Sequence, residues 1–461
     1  MEISKSPVEL KMLRFVNEML ADAYAQLAVV HPVGIKKSDL DRDIAYIYMR
    51  TTKEGMSFLT ETLPRLGDWF DQWIWGQDVK RVEGFKPYGG LYPCFLRPFW
   101  AYGQKWASSE LTDNDAQIIR ILRTILHGFK KLDVPCSEEK IQARLASFLK
   151  NEEDMLDPYP SAIMQRAQRV MERYLLGYIP RCENPRHGPG AVAGGERHSE
   201  KWNFSTLFES VHREWPYWEY IFPVRTIVRT HGSFLGRSIP LQLAAMASTY
   251  RSMRREEEPT ARLLLVPKDS RGPRVISCEP AELMYLQQGV ARHLMSYIER
   301  HSWTKGRVNF ERQDINAEIA LSSSRTKEFD TIDLSDASDL VSCQLIRFLV
   351  PERVHRKWLA LRSTATILPS KEKISLKKFA PMGSALCFPV ESLVFWAIAV
   401  AAVWEQSGSF RVARESVYIY GDDIIIKAGY TLLAMNALED ANLQVNKSKS
   451  FIGSHPFRES C

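Results

Sequence analysis

The sequence predicts an α+β protein, with helices in its N-terminal part and an antiparallel sheet flanked by helices towards its C-terminal end. Three observations carry that expectation. Residues 9 to 30, ELKMLRFVNEMLADAYAQLAVV, place Leu10, Leu13, Val16 and Leu20 on one helical face. Residues 327 to 350, KEFDTIDLSDASDLVSCQLIRFLV, read as a strand, an aspartate and a helix. Residues 417 to 429, VYIYGDDIIIKAG, set two apolar, β-prone runs around Gly421, Asp422 and Asp423, which is a two-residue hairpin signal.

The 461 residues suffice for two or three domain-sized units or one large multi-lobed fold. A hydrophobic fraction of 45% against 25% charged excludes a wholly disordered chain. The formal charge of +6, from 61 Lys and Arg against 55 Asp and Glu, is compatible with a nucleic-acid partner without demanding one. The seven cysteines are scattered and never form a C-x-x-C pair, which argues against a disulfide framework or a zinc ribbon and for a reducing compartment. The N-terminus, MEISKSPVELKML, has no signal-peptide core. The apolar run at residues 394 to 404 has 11 residues. A bilayer needs roughly 20, so this run reads as a buried core helix and no membrane is expected.

After the first helix the chain stays helical and loop-rich. Residues 69 to 103 are dense in aromatics, which suit a packed core and, as the less common use, base stacking. Residues 182 to 202, CENPRHGPGAVAGGERHSEKW, read equally as a surface loop or as backbone that approaches something closely. Seven basic residues surround the short strand LLLV and the turn PKDSRGP between 251 and 274, with Lys268, Arg271 and Arg274 recurring every third residue. Such a turn is either a solvated charge run or a grip for triphosphate.

In the next element Phe329 to Ile332 form a strand and Asp333 ends it. Ser335 or Ser338 then caps a helix that buries Leu340, Val341, Leu345, Phe348 and Leu349. Asp336 or Asp339 near the helix start complements its dipole. Pro381-Met382-Gly383-Ser384 is a tight loop before a long apolar helix, and Gly383 leaves room for a ligand. Glu391 inside that helix requires a partner. In the hairpin, Asp422 sits at the tip and Asp423 follows, so the two point differently, with Asp422 the firmer ligand. Placing Asp333 and Asp422 on neighbouring strands resolves the repulsion among these acids. Clustered carboxylates are stable around hard divalent cations, Mg²⁺ or Mn²⁺. Two such ions serve phosphoryl transfer by clamping its attacking and leaving oxygens.

The ordered segments VPKDSRGPRVISCEP, DTIDLSDASDLVS, PMGSALCFPVESLVF, YIYGDDIII and NKSKSFIGSHPFRESC resemble the replicase of the single-stranded RNA phages, the levivirus group. The resemblance covers roughly residues 182 to 461. It implies an RNA-directed RNA polymerase with a right-hand fold. Residues 1–180 would be a helical region contributing to the fingers, 181–325 the fingers, and 326–461 the palm, with the thumb truncated or abbreviated after FRESC. It implies catalytic and metal-holding roles for Asp333, Asp422 and Asp423, with two Mg²⁺ ions (or Mn²⁺). Nucleotide binding would fall to Lys268, Arg271, Arg274, Asp339, Gly383 and Ser384. Asp339 and Ser384 are candidates for reading the ribose 2′-hydroxyl, although Asp339 lies one residue further from Asp333 than the commonest polymerase spacing. Lys447 or Lys449 would protonate pyrophosphate. The implied partners are single-stranded RNA template, NTPs, host translation elongation factors Tu and Ts and a ribosomal protein, in the cytoplasm of an infected bacterium. The competing expectations are a reverse transcriptase-like polymerase and a non-catalytic RNA-binding protein.

Overall fold

In the computed structural model, which describes residues 7–31, 35–107, 111–132, 136–229, 236–269 and 272–460, Leu13, Val16 and Leu20 face inward from helix Pro7–Val30 as their spacing predicts. This helix belongs to the first of two compact units, residues 1–144 with 266–274. Helices Lys37–Glu54, Leu63–Ile74, Arg97–Gly103 and Asp113–His127 complete its packed layers. The aromatic segment is the core here: Trp69, Phe70, Phe85, Phe95, Phe99 and Trp100 are buried. Trp69 and Trp100 meet edge to face, with ring centroids 5.7 Å apart, the geometry that aromatic quadrupoles favour.

The second unit comprises residues 145–265 and 275–461. The strands among the described residues are β1 (Thr206–Phe208), β2 (Arg254–Glu256), β3 (Thr260–Asp269), β4 (Gly272–Cys278), β5 (Phe329–Ile332), β6 (Leu334–Ser335), β7 (Ala365–Ile367), β8 (Lys373–Ser375), β9 (Val417–Tyr420), β10 (Asp423–Lys427) and β11 (Gln444–Val445). They form four sheets, ordered β1-β2, β4-β3-β7-β8, β5-β10-β9 and β11-β6. The expected antiparallel sheet is β5-β10-β9, with β10 central and antiparallel to both neighbours.

Helix Cys387–Ser407 backs this sheet. It is longer than the apolar run that announces it, at 21 residues, and is long and apolar enough to cross a membrane by length and composition. Here it is core, with every residue from Leu393 to Val403 fully buried. Pro389 falls in its first turn, where no intrahelical N–H is lost. The helix packs against Ala162–Tyr174, Phe410–Glu415, Thr431–Asp440 and β9. This packing draws residues 162–174 into the same unit as the C-terminal sheet. The first unit gives way to the second after Arg144.

The Gly/Pro-rich stretch is a packed loop. The Glu183 amide donates to the Gly289 carbonyl at 3.2 Å and the Ala193 amide to that of Glu279 at 2.9 Å. A Cβ on Gly289 would meet Cys182 Sγ at 2.4 Å, so this glycine permits the approach. Lys201 is buried and donates to the Gly188 and Gly190 carbonyls. Of the seven basic residues further on, Arg254 and Arg255 pair with Glu256 and Glu209. Six of the cysteines are described, and none of these six is in a disulfide.

The helix expected after Asp333 is broken in two. Asp336 adopts a left-handed conformation, φ 49°, and starts only the short turn Ala337–Leu340 without a side-chain cap bond. The longer helix, Cys343–Leu349, begins at Ser342, whose Oγ accepts from the Leu345 amide at 2.9 Å. Neither Ser335 nor Ser338 is the cap. The break exists because the chain after Leu340 turns aside to pair with Lys377–Phe379: Cys343 N donates to Lys377 O and Phe379 N to Val341 O.

Candidate active site

The register of the three-stranded sheet decides which acids meet. Ile332 of β5 faces Ile424 of β10. One step further along, antiparallel pairing puts Asp333 beside Asp423 on the same face. Tyr420 pairs with Asp423, which leaves Gly421 and Asp422 as the two-residue turn. Gly421 has φ 64°, the first-position requirement of a type II′ hairpin. A Cβ there would lie 2.2 Å from Phe388 Cε2, so ring packing also excludes a side chain. Asp422 is exposed at the tip, while Asp423 and Asp333 are half-buried.

Asp333 occupies the break between β5 and β6 and is held from one side by the chain after β11. Asn446 Nδ2 donates to its Oδ2 at 2.8 Å. Lys449 Nζ lies 3.9 Å from the same oxygen. Burial raises the Asp333 carboxyl above the usual range, Lys449 and Asn446 pull it down, and Asp422 and Asp423 push it up. Glu391, on the long helix, belongs to the same neighbourhood. Burial pushes its carboxyl up to about 8, with Asp422 adding to the rise. Its bonded partner is the Cys387 thiol, which donates to Oε2 at 3.6 Å.

The structure thus brings together Asp333, Asp422, Asp423 and Lys449. Lys447 is solvent-exposed. Asp339 is buried and ion-paired with Lys378 Nζ at 3.1 Å, and that fully buried lysine also lies 3.3 Å from Glu152. Ser384 is buried in the tight loop, its amide donating to Pro381 O at 3.0 Å. Gly383, φ 113°, faces no open space: a Cβ would meet the Ser277 carbonyl oxygen at 2.2 Å. The loop packs closely on β4, where the Ser277 amide donates to Met382 O at 2.8 Å. Lys268 and Arg274 are exposed on the β3–β4 hairpin, in the segment that groups with the first unit. Arg271 lies outside the described residues. Asn446, Ser450, Ser460 and Lys378 are not among the residues that the sequence singles out. Each acts across a long sequence separation, and none carries a local signal beyond its polarity.

Among the described residues, no three His, Cys, Asp or Glu side chains stand gathered as a ready ligand set for one ion. The chemistry of the acids nevertheless fits a divalent cation. Asp333, Asp422 and Asp423 offer hard oxygen donors at one end of one sheet, and burial, with repulsion from Asp422 and Asp423 adding to it, raises Asp333.

Residues 142–461 match the family model for the RNA replicase beta-chain. The chain belongs to that family. This replicase beta-chain is 34% identical over 206 residues to the RNA-directed RNA polymerase subunit beta of Enterobacteria phage SP, covering 45% of this chain and 34% of that protein. It is 31% identical over 228 residues to the corresponding subunit of Escherichia virus Qbeta, covering 49% and 37%. The matched stretch therefore spans about a third of the length of these curated relatives. Among solved structures, the RNA-dependent RNA polymerase of a human picorbirnavirus covers 68% of this chain and 58% of its own, at 11% identity and a TM-score of 0.42, a likeness too slight to argue from.

Proposed function

We propose that this replicase beta-chain is an RNA-directed RNA polymerase, copying single-stranded phage RNA from NTPs by nucleotidyl transfer. The observation that carries the reading is the register that sets Asp333 beside Asp423, with Asp422 in the adjoining turn. In this reading β5-β10-β9 is the catalytic sheet of a palm, and the β3–β4 hairpin belongs to the fingers. Asp333, Asp422 and Asp423 would hold two Mg²⁺ ions, which supply the positive charge that activates a 3′-hydroxyl and neutralises the pyrophosphate leaving group.

The chain's own residues do the rest. Asn446 fixes one Asp333 oxygen and leaves the remaining lone pairs for ligation. Lys449, exposed but with its Nζ 3.9 Å from Asp333, would be the proton donor to pyrophosphate in preference to Lys447. Lys268, Arg271 and Arg274 grip the incoming triphosphate on the strength of their sequence motif. Asp339 is held by Lys378, and Ser384 by its loop, so any 2′-hydroxyl reading by either acts from a fixed position. As a beta-chain it would work as one subunit of a larger replicase in the cytoplasm of an infected bacterium, with host elongation factors Tu and Ts and a ribosomal protein as expected partners.

The test is incorporation on an RNA template with Mg²⁺ and host proteins supplied. Wild type should incorporate NTPs. Asp422→Ala should abolish incorporation while keeping RNA affinity, since that affinity rests on phosphate contacts. Preferential dNTP use would instead mark a reverse transcriptase. RNA binding without incorporation would mark a non-catalytic binder.

A further inference from the structure

The chain from Asn446 to Ser460 runs as a strap along the open edge of the β5-β10-β9 sheet. Its first end engages Asp333 three ways. The Asn446 side-chain amide donates to Asp333 Oδ2 at 2.8 Å, the Asn446 backbone amide donates to Asp333 O at 2.9 Å, and the Asp333 amide donates to Ser450 Oγ at 3.2 Å. The Ser448 hydroxyl donates to Asn446 Oδ1 at 2.7 Å. That bond fixes the orientation of the amide, with its NH₂ towards the carboxylate. The middle of the strap pairs with β5, since Thr331 and Phe451 exchange both backbone bonds, at 3.1 and 2.9 Å.

Arg458 pins the far end. It is buried, and its guanidinium donates to Asp330 Oδ1 at 2.7 Å and to the carbonyls of Phe329, Gly453, His455 and Phe457. Two residues later the Ser460 hydroxyl donates to Asp423 Oδ2 at 2.9 Å. Both ends of one strap thus land on carboxylates that the register places side by side. A donor on one oxygen of a ligating carboxylate orients it and leaves its other lone pairs for a cation.

We propose that Asn446 and Ser460 are positioning residues for Asp333 and Asp423, and that the Arg458-anchored strap holds the two carboxylates in a common geometry for divalent-cation binding. The inference rests on the nucleotidyl-transfer reading of these acids. The test is Mn²⁺ titration of the full chain, followed by electron paramagnetic resonance, without RNA or nucleotide. Asn446→Ala and Ser460→Ala should each weaken Mn²⁺ binding about tenfold, the scale of removing a hydrogen-bond donor from behind a metal ligand, with the urea midpoint unchanged. Ser460→Thr, which keeps a hydroxyl, should recover most of the affinity. Mn²⁺ binding in both alanine variants equal to wild type would overturn the positioning role, as would loss of affinity only in step with loss of folding. Asp333→Asn separates the two failures. If it abolishes binding while the alanine variants retain it, only the positioning role falls. If it too binds as wild type, the metal-holding reading itself falls and takes the inference with it.

Discussion

Glu391 shows how one residue records the charge around it. Burial, reinforced by Asp422, pushes its carboxyl up to about 8, so at neutral pH it is held mostly as the protonated acid. In the unfolded chain it ionises near the ordinary glutamate value, so the unfolded state releases this proton first. Its contribution to stability is fully present below that value and is lost as pH rises towards 8. Glu391→Gln keeps the shape without the ionisation. The variant should exceed wild type in stability by about 4 kcal/mol at pH 8 and lose nearly all of the advantage near pH 4.5, measured by urea unfolding at both values. Gly421 makes the opposite case, where any side chain is excluded. Gly421→Ala meets both the positive φ and the Phe388 ring, and should cost roughly 1–3 kcal/mol in the same assay.

At the scale of elements, the strap and the broken helix respond to different forces. Arg458→Met would leave Asp330 buried and without its ion pair. The loss should be about 3–5 kcal/mol, read as a lowered urea midpoint. Ser342→Ala removes one cap bond from Cys343–Leu349 and should cost about 1 kcal/mol. The hairpin and the strand ending at Asp333 were legible because period-2 patterning and Gly-Asp turn chemistry are local. The cap was not legible, because Ser335, Ser338 and Ser342 look alike locally. What selects Ser342 is pairing with Lys377–Phe379, some 35 residues away. Gly383 was legible as a glycine that something approaches closely. That the Ser277 carbonyl is such a neighbour depends on tertiary packing. Asn446 and Ser460 contact acids 113 and 37 residues distant, beyond the reach of any local pattern.

For the whole molecule, net charge is a poor guide to where anions bind. The surplus of +6 is small, and several cations are consumed internally: Lys201 by carbonyls, Lys378 by Glu152 and Asp339, Arg458 by Asp330. Lys268 and Arg274 are exposed on their hairpin, and the proposed function gives them the triphosphate. Two uses of such cations separate experimentally. A triphosphate grip acts on the incoming nucleotide, so Lys268→Ala with Arg274→Ala should raise the KM for NTP about tenfold or more. That is the scale of losing a charge-assisted bond, and RNA affinity and its salt dependence should stay as in wild type. A grip on template phosphates would leave the KM for NTP near wild type. It would flatten the slope of log K against log salt by about 0.7 for each single-strand phosphate that is no longer neutralised. Steady-state kinetics over an NTP series, paired with RNA binding over a salt series, distinguishes them. A KM unchanged alongside a flattened slope would move these two residues from the nucleotide to the template.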